Sequence, residues 1–482
     1  MENIQTILNQ SLRPIADAFY NFIFFEVSVL GVAFPLIVMW LIVAALFFTF
    51  YLGFINLRGF GHSLKLLRGD YSDQKDEGQI THFQALSTAL SGTVGIGNIG
   101  GVAIVMTIGG PGALFWLIVA GFLSMSTKFA ECVLGVLYRK THEDGRVSGG
   151  PMYYLEYGLK ARGLPWLAKP MGIFYALAMV VGCLGIGNMF QSNQAFEQFV
   201  FVTGAEESAF ADQGLLFGFV IAALVALVIL GGLRSIAKVT SRLVPFMGIL
   251  YVLCGVTIIL LNADKVPGAV SAVLTNAFNP QAIGGGMIGV MILGFQRAAF
   301  SNEAGLGSAA IAHSAVKTKE PVTEGFVALL EPFIDTVVIC SITALVILTT
   351  VYDPGMTGAG VQGVELTAKA FGDTLSWSVV PLSIVAILFA YSTIISWSYY
   401  GLKGWTYLLG TSKIKELIFK IIFCLFVVLG CTIQLDAVLD LSDALVFIVA
   451  IPNVIGLYIL APVVKKELKA YQAKLKAGAF DQ

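Results

Sequence analysis

Apolar residues fill most of this chain in blocks of roughly 20, the length of a helix that crosses a bilayer. Short polar stretches separate the blocks. The pattern predicts about eleven membrane-spanning helices, at 30–56, 86–107, 113–137, 170–199, 213–232, 244–262, 285–311, 324–351, 376–402, 416–433 and 442–463. The longest polar loops, 57–85 and 138–169, are too short to build a sizeable soluble domain.

Composition agrees with this pattern. Of the 482 residues, 57% are hydrophobic and 12% are charged, whereas soluble proteins carry about 25% charged residues. The six cysteines lie in apolar stretches without metal-ligand spacing, and the four histidines lie at or outside the ends of the predicted spans, where they form no obvious proton relay. We find no His-Glu-x-x-His motif and no serine–histidine pair at membrane depth, so the sequence predicts an all-α integral membrane protein that is not an enzyme.

Basic residues mark one side of the membrane. Alternate loops hold 24 of the 29 lysines and arginines, and the opposite loops hold three. Because cytoplasmic loops are enriched in these residues, we predict an outer N-terminus, a cytoplasmic C-terminus and an odd number of spans. Residues 1–29 are then a periplasmic or interfacial segment, 30–56 an extra helix and 464–482 a cytoplasmic tail.

Two of the predicted spans contain residues that disfavour a continuous helix. The first has five glycines between 92 and 101, and the second places Asn302 and Glu303 beside Gly305 and Gly307. Each interior glycine costs about 1 kcal/mol relative to alanine. Unwound backbone at membrane depth is tolerated where protein or a water-filled cavity satisfies it. We therefore predict two broken helices.

The two breaks begin two sets of five spans, 86–262 and 285–463, which start from opposite sides of the membrane. This arrangement predicts an inverted repeat of five plus five helices, and paired breaks of this kind indicate a transporter binding site. The alternative is that the glycines only permit close packing of helices. That alternative does not explain the neighbouring polar residues or the opposite topologies.

Broken helices supply ligands for both an anion and a cation. The N-terminus of a half-helix suits a substrate carboxylate, and the freed carbonyls at a half-helix C-terminus suit sodium. The first break offers the carbonyls of Ser91, Thr93 and Val94 and the side-chain oxygen of Asn98. The ninth span carries hydroxyls that would complete a sodium site, those of Ser392, Thr393 and Ser396. Alternatively, these hydroxyls bond to their own helix.

Three further side chains are candidates for the substrate pocket. Phe295 and Trp397 would wall a small apolar space, although tryptophan also concentrates at membrane interfaces. Gln191 lies late in an otherwise apolar span. It either bonds the substrate or joins two helices.

Six charged side chains fall within predicted spans, where charge costs at least about 2.5–3.5 kcal/mol. They are Lys128, Glu131, Arg297, Glu303, Glu331 and Asp335. Lys128 and Glu131 are spaced to pair on one helix. Glu331 and Asp335 require a cation or a proton, and Arg297 is the nearest large cation by its position in the repeat. We expect these charges to lock helices or form gates.

Five motifs resemble those of the alanine or glycine:cation symporter family, a member of the amino acid-polyamine-organocation superfamily. They are SGTVGIGNIGG at 91–101, GGPMYY at 149–154, GNMFQ at 187–191, FSNEAGLGSA at 300–309 and SWSYYG at 396–401. The resemblance spans roughly residues 30–465. It implies a leucine-transporter-like fold and sodium-driven, sometimes proton-driven, uptake of alanine or glycine across a prokaryotic inner membrane.

The resemblance also implies roles for individual residues. Polar contacts to the substrate would come from the break itself, through Thr93, Gly95, Gly97 and Asn98, and from Gln191. Phe295 and Trp397 would limit the substrate side chain to a methyl group or a hydrogen. Sodium would bind the Ser91 and Val94 carbonyls, Thr393, and either Ser392 or Ser396.

These observations predict a sodium-coupled symporter that imports alanine, glycine or both by alternating access. Sodium is the expected coupling ion, with no organic cofactor and no nucleic-acid partner, and we expect a functional monomer in the lipid bilayer. The alternative is proton coupling through Glu303, Glu331 or Asp335. An ion channel is a weaker alternative because it would require a continuous polar pore or a ring of carbonyls.

Overall fold

The computed structural model describes residues 13–14, 17–29, 32–71, 75–143, 145–279, 286–356, 363–433 and 435–480. The chain is mostly helical, with a helical stretch at 17–23 before the first long element. The helices are α1 Leu36–Tyr51, α2 Ile55–Arg58, α3 Phe60–Arg68, α4 His82–Thr93, α5 Ile96–Gly109, α6 Gly112–Leu137, α7 151–161, α8 Pro165–Val202, α9 Gly214–Ile229, α10 Gly232–Leu261, α11 Val266–Ala277, α12 Gly286–Asn302, α13 Ser308–His313, α14 Pro321–Thr349, α15 Val364–Thr374, α16 Val379–Leu409, α17 Lys413–Gly430 and α18 Leu435–Lys476.

Two small antiparallel sheets accompany the helices. Strand β1 (Glu26–Val29) pairs with β2 (Val32–Pro35), and β3 (Lys140–Thr141) pairs with β4 (Val147–Ser148). The strand β2 occupies the beginning of the first predicted span, so α1 starts at Leu36 rather than at residue 30. Pro35 precedes α1, as expected for a residue whose fixed φ suits a helix start.

Among the described residues, six helices are long and apolar enough to cross a membrane, and a seventh span is formed if the bent pair α4–α5 is counted as one. They are α6, α8, α10, α14, α18 and the 34-residue segment Ser376–Leu409 that contains α16. Helices α1, α9 and α11 are apolar but shorter. Helices cover most of the described part of every predicted span. The count of eleven crossings and the repeat boundaries at 86–262 and 285–463 stay predictions, and residue 285 lies outside the described residues.

The first predicted break is present between α4 and α5, which are bent by 41° at Val94 and Gly95. Both residues have extended backbone, which ends the α4 hydrogen-bond ladder. Helix α4 packs against α10, α13 and α16, whereas α5 packs against α12 and α15. The break therefore directs the two halves of one span towards different neighbours.

The second predicted break separates α12 from α13 at residues 303–307. Glu303, Gly305 and Gly307 all have positive φ, of 56°, 91° and 77°. Glycine adopts this left-handed backbone readily, but a glutamate does so only when its surroundings hold it there. The second break is thus a compact turn rather than a bend.

Helix α6 lies at the centre of the contacts near the second break. It packs against α1, α11, α12, α13 and α14. On the other side of the molecule, α8 packs against α16 and α18, and it contains a π-helical turn at Gly185–Met189. Such turns are frequent at functional sites, and this one places Gly187 against the ring of Trp397.

Candidate functional site

The first break and α16 bring three serines together. The Ser91 hydroxyl donates to the backbone carbonyl of Ser392 over 2.6 Å, and the Ser396 hydroxyl donates to the Ser91 oxygen over 2.9 Å. All three are fully buried. Helical spacing places Ser392 and Ser396 on one face of α16, and the end of α4 supplies the opposite side of this cluster.

Carbonyl oxygens of the last turn of α4 lie beside these hydroxyls. The final four carbonyls of a helix have no partner within it, and α4 ends immediately before Val94. One of these carbonyls, that of Gly92, accepts a hydrogen bond from Trp397 Nε1 over 3.2 Å. The freed carbonyls of this turn, with the neighbouring hydroxyls, form an oxygen-rich and uncharged environment.

Gly95 lies where α4, α8 and α16 approach one another. A Cβ at this glycine would lie 2.9 Å from Thr393 Oγ1 and 3.3 Å from Gln191 Oε1. A side chain at this position would push these groups away. Glycine therefore allows the backbone of the break to approach Thr393 and Gln191 closely. Thr393 also donates to Phe389 O over 3.0 Å, which is the bond to its own helix that the sequence left as an alternative.

The side-chain amide of Gln191 forms a hydrogen bond through its nitrogen but not through its oxygen. Its Nε2 donates to Ile186 O over 3.2 Å, where the π-turn of α8 frees a carbonyl. Its Oε1 is buried and has no hydrogen-bond partner in the structure. A buried amide oxygen without a partner is costly, so this atom is suited to accept a hydrogen bond from a ligand.

Asn98 shapes the first break from within. Its Oδ1 accepts from Gly95 N over 2.9 Å, and its Nδ2 donates to Asp335 Oδ1 over 2.6 Å and to Ser301 Oγ over 3.0 Å. Both ends of the amide are therefore occupied. Asn98 holds the break to α12 and α14, and a direct contact of its side chain with substrate stays a prediction.

The other residues of the break differ in their surroundings. Thr93 Oγ1 bonds back to the carbonyls of Ala89 and Leu90, over 3.3 and 3.4 Å. Gly97 is in the first turn of α5, against the ring of Phe300. Phe300 in turn meets Phe190 edge-on, with ring centroids 6.1 Å apart. The N-terminus of α5 thus faces aromatic rings from α12 and α8.

The structure places the two predicted wall residues in different surroundings. Trp397 is buried against Gly187 and Tyr400. Phe295 instead lines a narrow cleft of about 10 Å³ with residues of α1 and α6, among them Leu41 and Ser124. Trp397 therefore lies beside the first break, while Phe295 lies between α12 and its neighbours on the other side.

The predicted pairing of Lys128 with Glu131 is wrong. Lys128 Nζ lies 3.0 Å from Glu331 Oε1, with both side chains fully buried. Two atoms at this distance form an ion pair, although their angle is not that of a hydrogen bond. The lysine of α6 thus neutralises the glutamate of α14, the role that the sequence assigned to Arg297. Arg297 lies instead over the ring of Phe300, with its guanidinium carbon 5.8 Å from the centroid.

Glu131 holds the second break. Its Oε1 accepts hydrogen bonds from Gly305 N over 2.9 Å and from Asn453 Nδ2 over 2.7 Å. The Asn453 amide also donates to Gly305 O over 2.8 Å. Asn453 and Glu131 therefore bind both the N–H and the C=O of Gly305 in the turn.

The remaining carboxylates are also committed to local bonds. Glu303 accepts a short hydrogen bond from Ser308 Oγ, across the break. Asp335 accepts from Asn98, Ser301 and Thr336. Among the described residues, no group of three histidines, cysteines or acids is arranged to hold a metal ion.

Sequence reasoning missed several partners of the two breaks. Asn453, in α18, and Tyr175, whose hydroxyl donates to Leu306 O over 2.7 Å, both hold the second break. The signal available for Asn453 was an amide directly after Pro452 in an apolar span. A histidine cluster was also missed, because His82 and His313, far apart in sequence, both contact Glu324.

Comparisons with known proteins agree with these features. The family model described as the sodium:alanine symporter family matches residues 19–482. The sodium/alanine symporter AgcS of Methanococcus maripaludis is 41% identical over 440 residues, which cover 91% of this chain and 94% of that protein. The amino-acid carrier protein AlsT of Bacillus subtilis is 34% identical over 480 residues, which cover 98% of this chain and 94% of that protein.

A solved structure supports the fold. The crystal structure of MhsT in complex with L-phenylalanine matches with a TM-score of 0.57 at 18% identity, covering 80% of this chain and 89% of that chain. At this identity the likeness concerns the fold alone. It confirms the predicted leucine-transporter-like architecture.

Proposed function

Because the chain belongs to the sodium:alanine symporter family, we propose that it imports small neutral amino acids, alanine or glycine, together with sodium. The observation that carries this proposal is the meeting of Ser91, Ser392 and Ser396 at an uncharged helix break. Sodium takes hard oxygen ligands such as these. The membrane is the prokaryotic inner membrane, with the C-terminus in the cytoplasm.

The sodium ion binds between α4 and α16. Its ligands are the Ser91 and Val94 carbonyls and the hydroxyl of Thr393, with a further oxygen from Ser392 or Ser396. The contact of Ser91 with both of these serines supports this placement. A cation here joins two helices, so binding favours one conformation over another.

The substrate binds on the other side of Gly95. Its carboxylate lies at the N-terminus of α5, where free N–H groups and the helix dipole favour an anion. Gln191 Oε1, which has no partner in the structure, accepts from the substrate ammonium. Trp397 restricts the space near the break, while Phe295 acts at longer range or in another conformation.

The charged residues act as locks during alternating access. Lys128 and Glu331 join α6 to α14, and Glu131 joins α6 to the second break. Discrete pairs of this type favour rigid movement of one group of helices against another. The bound sodium and substrate then select the state that opens to the cytoplasm.

Uptake into proteoliposomes tests the proposal. Labelled alanine and glycine are supplied with and without an inward sodium gradient, for wild type and for Thr393→Ala. We expect sodium-driven uptake in wild type and a loss of roughly tenfold or more in the variant, the equivalent of about 1.4 kcal/mol. Thr349→Ala is the matched control because Thr349 is also buried and bonds back to its own helix, over 2.8 Å to Leu345 O.

Equal uptake without sodium would contradict the coupling, and equal loss in both threonine variants would contradict the placement. No uptake of either amino acid would contradict the substrate. Proton coupling is the second candidate, favoured by Glu131 Oε2 and Glu331 Oε2, which are buried without a hydrogen-bond partner among the described residues. It predicts uptake that follows a pH gradient in sodium-free buffer.

A further inference from the structure

One end of each broken helix meets α14 at a single carboxylate. His82 is the first residue of α4 and His313 is the last residue of α13. His82 Nδ1 contacts Glu324 Oε1, and His313 Nδ1 lies 2.5 Å from Glu324 Oε2. All three side chains are buried. We call this group, His82, Glu324 and His313, the histidine latch.

Backbone bonds extend the latch outside the helices. Gln79 N donates to Ala315 O over 2.7 Å, and Lys317 N donates to Ile80 O over 2.9 Å. The segment that enters α4 is therefore paired with the segment that leaves α13. The inner halves of the two broken helices cannot separate unless both the latch and these bonds open.

The Arg139 guanidinium reinforces the same junction. Its N–H groups donate to four carbonyls, those of Glu77, Ser314, Val316 and Thr318, over 2.6–3.1 Å. These acceptors come from both segments. The charge distribution predicts that this side faces the cytoplasm, since Lys65, Arg68, Lys317 and Lys319 lie in the same loops.

The contacts of the histidine latch indicate which of its atoms carry protons. Each imidazole approaches Glu324 through Nδ1, so both Nδ1 atoms donate and the carboxylate accepts twice. If both histidines are neutral, the buried group carries one net negative charge. One additional proton on an imidazole makes the group neutral, and burying a neutral group costs less than burying a charge.

The neighbouring charges do not remove this requirement. Two groups in and just after the C-terminal part of α6 interact electrostatically with Glu324, the Cys132 thiol and the Arg139 guanidinium. Arg139 also lies near the Asp76 and Glu77 carboxylates, which share its charge. Four other charged or titratable groups on packed elements have partners of their own: Lys128 with Glu331, Lys474 with Glu320, His62 with Tyr471, and Lys319 with Asp76.

We propose that the histidine latch is a proton-binding site that keeps the cytoplasmic side of the transporter closed. Opening separates the inner end of α4 from α13, hydrates the imidazoles and releases the proton. The proposal rests on the proposed function in one respect only, which is that the latch lies on the cytoplasmic side of the transporter. It adds a regulatory site that responds to cytoplasmic pH and is separate from the sodium and substrate sites.

The sign follows from proton linkage. In water, histidine titrates near pH 6.5 and glutamate near pH 4.3. The hydrated, open latch therefore binds about half a proton at pH 7 and almost none at pH 8.5, whereas the closed latch keeps one. Raising the pH through this window favours opening. A difference of one proton over one pH unit changes the closed-to-open ratio by up to about tenfold.

Hydrogen exchange on the full-length protein in lipid nanodiscs tests this directly, without transport. Peptides covering 77–85 and 311–318 are followed at pH 7 and pH 8.5, with exchange times scaled for the intrinsic pH dependence of amides. We expect protection in both peptides to fall about tenfold at pH 8.5 in wild type. Glu324→Gln and the double variant His82→Gln/His313→Gln should remove this difference, since the first lacks the carboxylate that retains the proton and the second has no imidazole to bind it.

His142→Gln is the control because His142 lies in a loop on the same side and contacts Ser148 rather than the latch. It should keep the wild-type response. Unchanged protection in wild type, a response retained in both latch variants, or a response lost in the control would each overturn the proposal. None of these outcomes depends on sodium or amino-acid uptake, so failure of the latch and failure of the proposed function are distinguishable.

Discussion

The two helix breaks use opposite chemistry. The first break is lined by hydroxyls, carbonyls and amides. The hydroxyls include those of Ser91, Ser396 and Thr393. The second break is held by carboxylates, since Glu131 binds the Gly305 amide and Glu303 binds Ser308. Carboxyl groups bond directly to the second break, whereas at the first break the Asp335 carboxyl bonds to the Asn98 side chain.

This difference indicates a division of labour. A neutral oxygen cluster binds a monovalent cation weakly enough to release it, as transport requires. A carboxylate that accepts hydrogen bonds from a left-handed turn instead fixes the backbone. The polar contacts are continuous between the breaks. At the first break, Asp335 accepts from Asn98 and also from Thr336. Asn302 then donates to Thr336 and accepts from Ala304 N in the second break. Movement at one break is thus constrained by the other.

The largest expected effect is on stability near the second break. Lys128→Met leaves Glu331 buried without its cation, and breaking such a pair costs about 3–5 kcal/mol. We expect a marked fall in Tm in detergent. Adding Glu331→Gln should recover most of the loss, because the second change removes the uncompensated charge. A single variant as stable as wild type would show that the pair is not a lock.

At the first break, Gly95→Ala should abolish function without unfolding the protein. The added Cβ would lie 2.9 Å from Thr393 Oγ1, so the cation site and the Gln191 contact must both shift. We expect initial uptake rates to fall about 100-fold, the equivalent of about 2.7 kcal/mol. Gly101→Ala is the matched control, since nothing lies within 4 Å of a Cβ there. Equal uptake in the two variants would contradict the central position of Gly95.

Sequence patterns predicted where the two helices break more accurately than they predicted which residues contact one another. Glycine spacing located both breaks, and helical spacing placed the serines of α16 on one face. Local periodicity does not carry the information that pairs residues distant in sequence. Lys128 was therefore matched with Glu131 on its own helix, whereas the structure pairs it with Glu331.

Asn453 and the histidine latch illustrate the same limit. Asn453 is more than 140 residues from the turn that it holds, and His82 is 242 residues from Glu324. The local sequence around each of these residues does not indicate its role. Only the packing of α18 and α14 against the broken helices gives them roles, and this packing depends on the whole fold.

The most direct measurement compares one hydroxyl beside each break. Equilibrium binding of radioactive sodium is measured on wild type, Thr393→Ala and Ser308→Ala in detergent. The account predicts that Thr393→Ala weakens sodium binding about tenfold, the equivalent of about 1.4 kcal/mol for one lost oxygen ligand, while Ser308→Ala binds sodium as wild type does. Weaker binding in Ser308→Ala with no change in Thr393→Ala would contradict the assignment of sodium to the first break.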